Sequence, residues 1–127
     1  MTTQTSSLYD RVGGTTFFES LVARFYGAVA NDPQLRPLYP EADLQAAQRR
    51  LTLFLIQYWG GPRTYDDERG HPRLRMRHAP FAIGPAERDR WLVHMRQALA
   101  ESGATPDVAA ELDGYMAMAA ESMRNRG

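Results

Sequence analysis

The chain has 127 residues, with 15 basic and 15 acidic side chains, no cysteine, 43% hydrophobic and 10% aromatic residues. That size fits one domain, expected over residues 8–127 behind a polar tail at 1–7, and zero formal charge argues against a dedicated nucleic-acid or anionic-membrane binder. Disulfides, thiol nucleophiles and thiolate metal sites are excluded, all 15 cations are arginine, and no apolar run reaches membrane-spanning length, so a cytoplasmic protein is expected.

The first predicted element is one helical turn over Leu8–Val12, ended by Gly13-Gly14. With Thr15 or Thr16 as N-cap, Phe17, Phe18, Leu21, Val22, Phe25, Tyr26 and Val29 make the apolar stripe of a helix that Asn31-Asp32-Pro33 stops. Pro33–Pro40 has room for one tight turn carrying Leu35, Leu38 and Tyr39. The next helix runs from about Asp43 to Trp59, burying Leu44, Ala47, Leu51, Phe54, Leu55 and Tyr58, and Gly60-Gly61-Pro62 ends it. Gly84-Pro85 opens a helix with the stripe Trp91, Met95, Ala98 and Leu99; Thr105-Pro106 opens the last one, with Val108, Leu112, Tyr115, Met116, Ala119 and Met123 inward. No segment alternates with period two, so the predicted class is all-α.

Gly60–Gly84 does not fit a plain bundle, whose connections are short, typically ~2–8 residues. It holds two of the three histidines, His71 and His78, and the cations Arg69, Arg73, Arg75 and Arg77, with at most a short helix around Arg73–Ala79. The three histidines lack the spacing of a helical zinc pair, and no phosphate loop or nucleophile turn is present. A haem site fits better. It needs one neutral imidazole, an apolar slot and cations for the propionates. His78, in Leu74-Arg75-Met76-Arg77-His78-Ala79-Pro80-Phe81, has apolar residues on one side and arginines on the other. Tyr26, Tyr39 and Trp91 take interior positions by periodicity, and a buried Tyr or Trp needs a partner for its polar tip.

Several runs together resemble the truncated haemoglobins of group II. They are Phe25-Tyr26, Leu38-Tyr39-Pro40, Tyr58-Trp59-Gly60-Gly61-Pro62, the stretch from His71 to His78, and Glu87-Arg88-Asp89-Arg90-Trp91-Leu92. The resemblance spans Leu8 to Met123. It implies a two-over-two helical sandwich enclosing haem b, with His78 as proximal iron ligand and Tyr26, Tyr39 and Trp91 as distal polar residues. It puts Ala47 where many globins carry a distal histidine, leaving that side open, with Leu51 and Phe54 packing the distal face. Arg77 and Tyr65 are the implied propionate contacts, with Arg50 as a further candidate, and Leu74, Phe81 and Ile83 pack against the ring. Arg75 reads as a solvated charge, Met95 and Met116 as core, and His71 and His94 as structural or exposed.

The implied function is reversible binding of O2, and of CO and NO, with high affinity and slow release. Two other classes stand beside it. One is a redox enzyme using the same haem as an NO dioxygenase or peroxidase, which needs a reductase or peroxide as partner. The other is a haem-free helical interaction module whose Arg69–Arg77 patch meets an acidic partner or nucleic acid.

Overall fold

The computed structural model describes residues 7–40, 42–73, 76, 78 and 81–126. The first turn, α1 (Leu8–Arg11), starts at Ser7, whose Oγ accepts the Asp10 N–H at 3.1 Å. Gly14, with φ of 91°, then serves as N-cap of α2 (Thr15–Ala30) in place of the expected threonines. The predicted stripe of α2 is the centre of the core: Phe18, Leu21, Val22, Phe25 and Val29 are fully buried. A 3-10 turn at Arg36–Leu38 follows, as the proline-rich connection suggests. The third helix, α3 (Gln45–Tyr58), begins just after Asp43, whose carboxylate accepts the Gln45 N–H at 2.9 Å.

One helix was not foreseen. The polar stretch Thr64–Arg69 forms α4, too short and too hydrophilic to show a periodic pattern. It is fixed from outside by a reciprocal pair: Gln57 donates to the Asp66 carboxylate and accepts the Asp66 N–H, both at 2.9 Å. Two long helices follow. Pro85 is the first residue of α5 (Pro85–Glu101), and Glu87 reaches back to accept the Gly84 N–H at 2.8 Å. Pro106 likewise opens α6 (Pro106–Met123).

Helix α2 packs on both α3 and α5, and α5 packs on α6, so the pair α2/α3 crosses the pair α5/α6. This is the two-over-two sandwich, with no strand among the described residues. None of the described helices is long and apolar enough to cross a membrane.

Tyr58 departs from the expected buried face of α3 and is 49% exposed. At the last turn of α3 it lies over the Tyr115 ring, 4.1 Å between centroids, and keeps one face to solvent. The chain then turns through Gly60 and Gly61 against α1. A Cβ at Gly61 would sit 2.6 Å from Ile56 Cγ2 and 2.7 Å from the Tyr9 ring. Gly61→Ala should therefore destabilise the fold by about 1–3 kcal/mol, the usual effect of overpacking. Thermal unfolding checks this, and an unchanged Tm would mean that Tyr9 moves aside freely.

Candidate functional site

Between the two layers lies a cavity of about 450 Å³, within the usual range of ~300–1,000 Å³ for cofactor sites. Its walls follow from helical spacing. Ala47, Arg50, Leu51 and Phe54 project from one face of α3, Tyr26 from the inner stripe of α2, and Trp91 from α5. Tyr39 enters from the 3-10 turn, Tyr65 from α4, and His78, Phe81 and Ile83 from the connection before α5. These eleven candidates, distant in sequence, thus share one cavity. Leu74 and Arg77 lie outside the described residues.

Three of the polar candidates, Tyr26, Tyr39 and Trp91, stand close together in the cavity wall. Tyr26 and Tyr39 meet edge to face at 5.5 Å, and Phe25 stands between Tyr26 and Trp91, 5.0 Å from each ring. Tyr26 is 6% exposed, so its hydroxyl is not bathed in bulk water. Elsewhere the lining is largely apolar, with Leu38, Leu55, Met116, Ala119 and Met123.

The three histidines have separate fates. His71 is exposed, and its Nδ1 accepts the Arg73 N–H at 3.2 Å. His94 is tied to Asp32 away from the cavity. Only His78, half-buried and helical, faces the cavity. No group of three or more His, Cys, Asp or Glu side chains among the described residues could hold a bare metal ion. A single imidazole suits a metal whose other ligands arrive with it, as in a macrocycle.

Asn125, beyond the end of α6, organises the His78 segment and was not singled out from sequence. Its side chain accepts the Ile83 N–H at 2.9 Å and donates to the Phe81 carbonyl at 2.8 Å and the His78 carbonyl at 3.3 Å. The Asn125 and Arg126 N–H groups both return to the Ile83 carbonyl. A lone polar residue near a terminus gives no sequence signal for this, because its partners lie more than forty positions away. Arg69 and the α6 face (Tyr115, Met116, Ala119 and Met123) also line the cavity. Sequence periodicity showed only that the α6 residues point inward, and Arg69 stood out only as part of the basic run.

The end of α2 is joined to α5 through a buried carboxylate. Asp32, 2% exposed, accepts from His94 Nε2 at 2.6 Å, from the Arg90 guanidinium at 3.0 Å, and from the Gln34 and Leu35 N–H groups. His94 foremost, with the backbone donors and Arg90, holds the carboxyl well below its ordinary pKa against the opposing effect of burial. Asn in this position would still cap the turn but would remove the negative charge opposite Arg90 and weaken the hydrogen bond with His94. Asp32→Asn should lower stability by about 2 kcal/mol, since hydrogen bonds to charged groups contribute ~1.5–3 each. Because the folded-state pKa is depressed, the contribution is complete above pH ~4 and is lost as pH falls toward the lowered value. Urea unfolding at pH 7 and pH 3 checks it: the wild-type advantage should be smaller at pH 3.

Comparison with known proteins gives a consistent result. The bacterial-like globin family matches residues 7–125. The group 2 truncated haemoglobin of Bacillus subtilis (strain 168) is 39% identical over 113 residues, covering 89% of this chain and 85% of its own. Among solved structures, a thermostable haemoglobin from the actinobacterium Thermobifida fusca superposes with a TM-score of 0.93 at 54% identity, over 94% of this chain and 98% of that one. A truncated oxygen-avid haemoglobin from Bacillus subtilis superposes with a TM-score of 0.89 at 38% identity, over 94% and 100%.

Proposed function

The chain belongs to the bacterial-like globins, among the group II truncated haemoglobins, and is a haem globin that binds O2; on that premise we propose that it holds O2 tightly and releases it slowly. In this reading one truncated-globin domain over residues 8–127 carries haem b, with His78 on the iron. The carrying observation is that His78 alone among the histidines lines the largely apolar cavity that Tyr26, Tyr39 and Trp91 also line.

The residues present fit the group. Leu51, Phe54, Phe81 and Ile83 supply apolar walls for the ring, while Arg50, Arg69 and Tyr65 supply donors at the cavity edge for two propionates. Asn125 holds the carbonyls around His78, so the imidazole is presented by a tethered segment. Bound haem supplies an iron with one open coordination position for a diatomic ligand. Ala47 would leave the α3 wall of the pocket uncrowded. Tyr26, Tyr39 and Trp91 would donate hydrogen bonds to the partial negative charge on a bound ligand. Two such bonds, at about 1.5 kcal/mol each, slow dissociation by roughly a hundredfold.

CO, which carries less charge, gains less from the same donors, and NO enters the same position. The printed description of the Bacillus subtilis relative as oxygen-avid supports the affinity. Slow release suits oxidation of NO, or reduction of peroxide, better than delivery of O2, and either reaction would draw electrons from a partner reductase. Stopped-flow mixing of the O2-loaded protein with NO separates the two readings. Stoichiometric nitrate formation on mixing supports the redox reading, and O2 release at its spontaneous rate supports plain storage. O2 dissociation as fast as from a pocket without donors would overturn the proposal.

A further inference from the structure

Asp32, Arg90 and His94 do not line the cavity. Yet the Asp32 carboxylate stands where the three elements carrying Tyr26, Tyr39 and Trp91 meet. Its N–H donates to the Val29 carbonyl at 3.0 Å, at the end of α2. Its backbone carbonyl accepts the Arg36 N–H at 2.9 Å, where the 3-10 turn begins, and Arg36 Nη1 donates to the Tyr39 carbonyl at 2.9 Å. The two carboxylate oxygens face different elements. Oδ1 accepts the Gln34 and Leu35 N–H groups at 2.8 and 3.3 Å and so serves the turn. Oδ2 accepts from His94 Nε2 at 2.6 Å and from Arg90 Nε and Nη2 at 3.0 Å each, and so serves α5.

We propose that Asp32 is a positioning residue for ligand binding: its buried carboxylate fixes the rotation of α5, and with it the aim of the Trp91 indole into the cavity. The proposal rests on the haem reading of the cavity and on Trp91 as a donor there. Arg90 and His94 lie one turn apart on α5 and bracket Trp91 in the sequence. Trp91 is turned about 100° around the helix from Arg90, into the cavity wall. An anchor on the flank of α5 therefore resists the rotation that would carry the indole N–H off line, and hydrogen bonds weaken steeply with misalignment.

Burial makes this anchor stiff. Asp32 is 2% exposed and the His94 side chain 13%, so neither can trade its partner for bulk water without opening the contact between α2 and α5. Phe25, 5.0 Å from the Trp91 ring, packs against the indole but offers no polar group to fix its direction. Asn at position 32 keeps an oxygen for the Gln34 and Leu35 N–H groups and loses the charge toward α5. That substitution therefore releases Trp91 and leaves the turn capped.

The test uses the haem-loaded ferrous protein and reads the infrared stretching band of bound CO, the O2 dissociation rate and Tm. Asp32→Asn should broaden the CO band, move it to higher frequency and speed O2 dissociation severalfold. Arg90→Gln, at a half-exposed position that the fold tolerates, should give a smaller change in the same direction. Added to Trp91→Phe, Asp32→Asn should change the O2 rate little, because the ring it aims no longer donates. Gly61→Ala, a destabilising change against α1, should lower Tm and leave band and rate alone. An unmoved CO band in both Asp32→Asn and Arg90→Gln, full additivity with Trp91→Phe, or an equal shift in Gly61→Ala would overturn the positioning role alone. A chain that takes up no haemin would overturn the haem reading, and the positioning role with it.

Discussion

Replacing His78 by glycine should abolish five-coordinate ferrous haem, and imidazole added to the solution should restore it. The expectation follows from the fates of the three histidines. His71 is exposed and bonded to its own loop, and His94 is committed to Asp32. No described histidine besides His78 faces the cavity, so none can replace it without rearranging the fold. The apolar walls and edge arginines would still attract haemin, and the variant should bind it weakly. The decisive readout is the ferrous spectrum with and without imidazole. A five-coordinate ferrous spectrum in His78→Gly without imidazole would remove His78 from the iron.

The second large effect concerns release. Trp91→Phe should speed O2 dissociation about tenfold, the equivalent of one hydrogen bond of ~1.4 kcal/mol to a charged acceptor. Trp91→Phe with Tyr39→Phe should speed it roughly a hundredfold, provided the two donors act independently. CO dissociation should change much less in both variants, because CO draws less on donors. That contrast separates a lost hydrogen bond from a loosened pocket, which would change both gases alike. Phe25 touches both Tyr26 and Trp91, so the aromatic packing at this end survives replacement by phenylalanine. An O2 rate unchanged in the double variant would show that neither residue donates to the ligand.

Periodicity made the long helices legible. The stripe from Phe18 to Val29 needs only the 3.6-residue repeat, and Gly84-Pro85 and Thr105-Pro106 mark helix starts by the missing N–H of proline. Helix α4 escaped because its stability comes from Gln57, not from its own pattern. Tyr58 falls on the buried face by spacing yet is exposed, because spacing gives the direction of a side chain and not how far the neighbouring helix extends over it. The sandwich and the shared cavity were read from resemblance, since spacing alone shows no convergence. Asn125 and Asp32 were invisible for a further reason. Each acts through hydrogen bonds to groups remote in sequence, and isolated polar residues near turns look alike whether solvated or buried.

The most direct test of the account is a titration of the purified chain with haemin, followed by reduction and exposure to CO. Each chain should take up one haemin, with an intense Soret band and a sharp ferrous–CO peak near ~420 nm, as histidine-ligated haem gives. A chain that takes up no haemin, or whose reduced form does not respond to CO, would contradict the cavity as a haem site with an open position.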